Sequence, residues 1–114
     1  ISAKDYSRLF RALYLAVYLN EENSQYLLTL LQNSEFKDFI RAGIPSDVPF
    51  AHKWGTNLYI HTYADSGIVY VKNRPYIISV MIQGKGSDEQ LNLTRANALL
   101  KEIGEKTYKY VSEK

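Results

Sequence analysis

The residues of this chain whose types and spacing could do chemistry crowd into one stretch, Pro49 to Tyr70. His52, Lys53, Trp54, Gly55 and Thr56 read as the end of one strand, and Asp65, Ser66 and Gly67 as the start of the next. A lysine and a glycine on a strand edge, followed by a residue with a free backbone amide, can receive an anion. The ammonium attracts a carboxylate, and the amide N–H stabilises an oxygen on which negative charge develops. No nucleophile accompanies them. His52 and His61 have no carboxylate at a spacing that would orient either as a general base, so both take structural or surface roles. Asp65 reads as a turn or strand-start carboxylate.

Composition narrows the possibilities. At 114 residues the chain has the size of a single domain. Its net charge is only +2, and the lysines and arginines are scattered, which argues against a nucleic-acid partner. No apolar run approaches the roughly 18 residues of a membrane span, and the first residues lack the apolar core of a signal peptide. Cysteine is absent and the histidines number 2. Disulfides and thiolate chemistry are therefore excluded, and neither a metal site nor a cofactor is expected.

Helices come first in the chain. Ser2 with Asp5 has the spacing of a helix cap, and Tyr6, Leu9, Phe10, Leu13 and Val17 then recur at three- and four-residue steps. Asn20 is placed to cap a second helix with Tyr26, Leu27, Leu30 and Leu31 on its apolar face. Ser34 would cap a short third one, with Phe36, Phe39 and Ile40 inward and Gly43 in the left-handed position at its end. From Pro49 the period changes. Strands are expected at about Pro49 to Trp54, Ser66 to Val71 and Tyr76 to Gln83, the last two antiparallel across a short turn. Ser87 with Gln90 has the capping-box spacing for a last helix reaching about Tyr110, with Leu93, Ala96, Leu100, Ile103 and Tyr110 inward. The fold class is α+β: a three-stranded antiparallel sheet with helices on both faces. Its third strand would be a long, apolar, exposed edge, which needs a partner.

Ala51-His52-Lys53-Trp54-Gly55-Thr56, then Asp65-Ser66-Gly67-Ile68-Val69-Tyr70, then Arg74-Pro75-Tyr76-Ile77-Ile78-Ser79-Val80-Met81 resembles the carboxy-terminal part of the penicillin-recognising serine hydrolases. The nearest group is the class A β-lactamase-like proteins, relatives of the D-alanyl-D-alanine carboxypeptidases. Arg41-Ala42-Gly43-Ile44-Pro45 resembles the segment that precedes the family's Lys-Thr-Gly strand. The resemblance implies that Lys53 is the triplet lysine, attracting the substrate carboxylate. It makes Gly55 the residue that keeps the strand edge open, and the Thr56 amide one of two oxyanion donors. Trp54 stands where the family has a hydroxyl residue, and joins Lys53, Gly55 and Thr56 as a candidate substrate contact.

The family's Ser-x-x-Lys nucleophile and Ser-x-Asn loop have no counterpart in this sequence. Ser34-Glu35-Phe36-Lys37 matches the first literally but reads as a helix cap and a surface lysine. Ser46-Asp47-Val48 and Ser87-Asp88-Glu89 lack the asparagine. Residues 1–114 are accordingly expected to be one domain's carboxy-terminal half, inactive alone, whose partner is the upstream half carrying Ser-x-x-Lys and whose substrate is a β-lactam or D-alanyl peptide. The resemblance also implies an extracytoplasmic location, secreted or periplasmic. The alternative is a non-catalytic binding or assembly module of the same fold, forming a homodimer through the edge strand Tyr76 to Gln83.

Overall fold

The computed structural model describes residues 2–16 and 19–114. The element order is α1 (Ala3–Tyr14), α2 (Glu21–Gln32), α3 (Ile40–Gly43), β1 (Phe50–Asn57), β2 (Thr62–Val69), β3 (Tyr76–Gln83) and α4 (Glu89–Ser112). The strands form one antiparallel sheet in the order β1-β2-β3. Helices cover both faces, as the α+β reading requires. One face carries the core of Phe39, Ile40, Phe50, Tyr63, Val69, Ala96 and Leu100, contributed by α3, α4 and the sheet. The other packs Phe10 and Leu13 of α1 and Leu28 of α2 onto Ala51 and Ile68. Among the described residues, no helix is long and apolar enough to cross a membrane.

The caps of the first two helices form as their sequences require. Ser2 Oγ accepts from the Asp5 N–H while the Asp5 carboxylate accepts from the Ser2 N–H, a complete capping box. Asn20 accepts from the Asn23 N–H. The apolar faces are less regular. On α1, Phe10 and Leu13 are buried, Leu9 is exposed and Val17 lies outside the described residues. On α2 the expected face is rotated: Ser24 and Leu28 are buried and Leu27 and Leu31 partly so, while Tyr26 and Leu30 are exposed.

Three expectations need larger corrections. Ser34 caps no helix. Its Oγ accepts the Phe36 N–H in an irregular segment, and α3 is a single turn that starts only after Phe39, whose φ is +57°. Gly43 is not left-handed. A Cβ there would collide with the backbone carbonyl of Lys101 and lie 2.7 Å from the Glu105 nitrogen, so the missing side chain lets α3 and α4 touch backbone to backbone. The cap of α4 is Asp88 rather than Ser87, with Asp88 Oδ1 accepting from the Leu91 N–H at 3.0 Å. Asp88→Ala should therefore cost about 1 kcal/mol of stability, and Ser87→Ala no more than about 0.5 kcal/mol, in urea unfolding. Along α4, Ala96 and Leu100 are buried and Ile103 half-buried, but Leu93 and Tyr110 are exposed.

β1 and β2 are longer than the sequence suggests, and β2 ends at Val69 rather than Val71. β1 runs on to Asn57 and β2 begins at Thr62, so Asp65, Ser66 and Gly67 lie mid-strand and Lys53 to Thr56 lie within β1. β3 has the expected bounds and forms one edge of the sheet, and β1 forms the other.

Candidate active-site strand

Register decides what β1 presents. Tyr70 N–H donates to the Pro49 carbonyl at 3.0 Å, which makes Pro49 and Tyr70 a hydrogen-bonded pair. Hydrogen-bonded pairs alternate along an antiparallel ladder. The unbroken register from Phe50↔Val69 to Asn57↔Thr62 then turns the backbone groups of Ala51, Lys53, Gly55 and Asn57 toward β2. Those of Phe50, His52, Trp54 and Thr56 point outward from the sheet. The Thr56 N–H is thus a donor on an edge that pairs with no other strand among the described residues.

Side chains alternate the other way, across the two faces. Lys53 and Gly55 lie on the α1–α2 face. Lys53 is exposed, and its Nζ donates to the outward Trp54 carbonyl at 2.9 Å and sits 5.4 Å from the centroid of the Trp54 ring. A Cβ at Gly55 would meet no atom within 4 Å, so the space beside it is open. Trp54 and Thr56 lie on the α3–α4 face. The half-buried Trp54 ring stacks on Phe36 with centroids 4.2 Å apart and meets Phe39 edge-on at 6.3 Å. The two residues line an open groove of about 500 Å³ with Phe36, Leu58 and Leu93.

His52 and Asp65, given bland roles from sequence, are a buried pair. His52 Nδ1 lies 2.9 Å from Asp65 Oδ1, with the side chains 2% and 0% exposed. Asp65 Oδ2 also accepts the Ile40 N–H at 3.2 Å, tying β2 to the start of α3. The His52 ring stacks on Phe50 at 4.3 Å, and a Cβ at Gly67, directly across the ladder, would strike the Ala51 carbonyl and the His52 Cβ. Burial pushes the Asp65 carboxyl above its usual range, against the opposing hydrogen bonds from His52 and the Ile40 amide. Correcting the strand bounds would have revealed this pair: on one face of the ladder, His52 and Asp65 are diagonal neighbours. His61 lies in the β1–β2 turn with φ +51°. Ser46 and Ser87 are exposed. No cluster of metal-binding side chains occurs among the described residues.

Residues 1–111 match the model of the beta-lactamase enzyme family. The chain belongs to that family. Solved structures carry the same fold. A protein described as PBP-A superimposes with a TM-score of 0.82 at 19% identity, over 97% of this chain and 40% of its own. An ancestral class A β-lactamase gives a TM-score of 0.75 at 23% identity, over 91% and 39%. A class A β-lactamase from Bacteroides cellulosilyticus DSM 14838 gives 0.75 at 19% identity, over 97% and 41%. No curated protein matches significantly. The chain thus spans about two fifths of the length of each of these β-lactamase-fold structures. Its three antiparallel strands and flanking helices are part of the β-lactamase fold.

Proposed function

We propose that residues 1–114 are the carboxy-terminal half of a penicillin-recognising serine hydrolase domain, and that β1 is the receiving wall of its active site. The observation that carries this reading is the outward Thr56 N–H on a strand edge unpaired among the described residues, on the same strand as Lys53, in a chain of the beta-lactamase enzyme family. Lys53 attracts the substrate's negative charge, the Thr56 amide stabilises the oxyanion of acyl transfer, and Trp54 and Gly55 flank the substrate. The serine that is acylated lies on the upstream half, the partner of this chain. A variant of PBP-A is described as an acyl-enzyme complex with penicillin G, and that chemistry fits the donors aligned here. The substrate class is a β-lactam or a D-alanyl peptide, the parent acts in the periplasm or outside the cell, and this chain alone does not turn over.

Intact-mass measurement after incubation with penicillin G tests the reading. The 114-residue chain should gain no adduct. Combined with its upstream half it should show acylation on that half, and Lys53→Ala should slow the step by about a hundredfold, as losing the preorganised charge that receives the substrate carboxylate does. An adduct on Ser34 of the isolated chain, or an unchanged rate with Lys53→Ala, would overturn it.

A further inference from the structure

The proposed active site makes no use of the His52–Asp65 pair, yet the pair fixes the orientation of a buried imidazole. Asp65 occupies Nδ1, so Nε2 is the ring nitrogen left to meet a ligand. His52 is 3% exposed and lines a recess of about 270 Å³ on the α3 side of β1. Ser34, Lys37, Arg41, Ser46 and Asp47 line the same recess. Two cations thus face one carboxylate.

The other walls suit an anion as well. Arg41 is held rigidly, its Nη1 donating to the Val48 carbonyl at 2.7 Å and its Nη2 to the Pro45 carbonyl at 3.1 Å. A guanidinium has further N–H donors beyond those two. Lys37 is exposed and has no carboxylate partner among the described residues. The Ser34 and Ser46 hydroxyls add neutral donors. A volume of about 270 Å³ suits a small ligand rather than a peptide or a sugar chain.

We infer that this recess binds a small oxyanion, a carboxylate or a tetrahedral dianion, held by Lys37 and Arg41 with His52, carrying a proton on Nε2, donating to it from the base. The site lies beside the first half of β1, away from Lys53 and Thr56, and stands whether or not the chain takes part in acyl transfer.

The chain has only 2 histidines, so its imidazole nitrogen spectrum is simple. Titrating the full chain with sodium sulfate or sodium acetate, against sodium chloride at matched ionic strength, should shift His52 Nε2 saturably and leave His61 unmoved. A response to sulfate alone assigns a tetrahedral ligand, and one to acetate alone a carboxylate. Lys37→Gln, a surface change, should weaken binding about fivefold, the loss of one charge contact near solvent. The inference fails if neither anion moves His52 Nε2 beyond the chloride baseline, if His61 moves equally, or if Lys37→Gln leaves the titration unchanged.

Discussion

Thr56→Pro is expected to lower acylation of the completed protein by about 10²–10³-fold, while Thr56→Ala leaves it near the parent rate. The contrast isolates one backbone hydrogen. Alanine keeps the amide and removes only the side chain; proline removes the N–H itself. Elsewhere in a sheet proline would also break a ladder hydrogen bond, but the Thr56 N–H points away from β2, and edge positions of that kind tolerate proline. The variant should therefore stay folded, as circular dichroism and its unfolding midpoint would show. Equal rates for the two variants would mean that the oxyanion is held elsewhere.

His52→Ala should have the largest effect on stability, about 3–5 kcal/mol, because it strands the buried Asp65 carboxyl with the Ile40 amide as its remaining partner across the sheet–helix junction. Small domains hold only about 5–15 kcal/mol in all. A fall of about 2 M in the urea midpoint follows from a slope of about 2 kcal/mol/M. Asp65→Asn should cost less, since an amide oxygen still accepts from the Ile40 N–H and no charge is buried. The pH dependence has a definite sign. Because the folded state holds the Asp65 proton more tightly than the unfolded chain, whose value is near 3.8, stability from this group is complete below that value and declines as pH rises through the folded value. Unfolding at stepped pH above 3.8 should show the parent chain losing ground to Asp65→Asn. A parent chain that gains on Asp65→Asn over that range would mean that Asp65 is held ionised.

Features set by local chemistry were legible in the sequence. The Ser2–Asp5 box, the Asn20 cap and β3, with its apolar alternation after Pro75, stand where their residues place them. The family was legible as well, because the order of short motifs survives where overall identity to the matched structures is 18–23%. Features set by tertiary contact were not. Asn57 and Thr62 look like loop residues, yet the β1–β2 ladder extends to them. With the hairpin drawn too short, His52 and Asp65 could not be placed on one face. Ser34 has the chemistry of a cap, but the Phe36–Phe39 segment is pulled out of helical form by the Trp54 stack and by Asn97 Oδ1, which accepts the Phe39 N–H at 2.8 Å. The expected faces of α2 and α4 failed at Tyr26, Leu30, Leu93 and Tyr110, where periodicity marks apolar positions but the side chains are exposed.

The glycine contact between α3 and α4 also sets the order in which this sheet can be covered. Gly43 lies against Lys101 and Glu105, and a Cβ at Gly104 would lie 2.7 Å from the Ile40 carbonyl oxygen, so each helix is notched to admit the other. The partners are far apart in sequence, and closing such long loops slows folding. During synthesis α1, α2 and the whole sheet emerge from the ribosome before Gly104 does. Until then the α3–α4 face of the sheet, with Phe50, Tyr63 and Val69, lacks the helix that carries Ala96 and Leu100. The nascent chain therefore has only α3 against that apolar face until α4 emerges, the interval in which a holding chaperone would matter most.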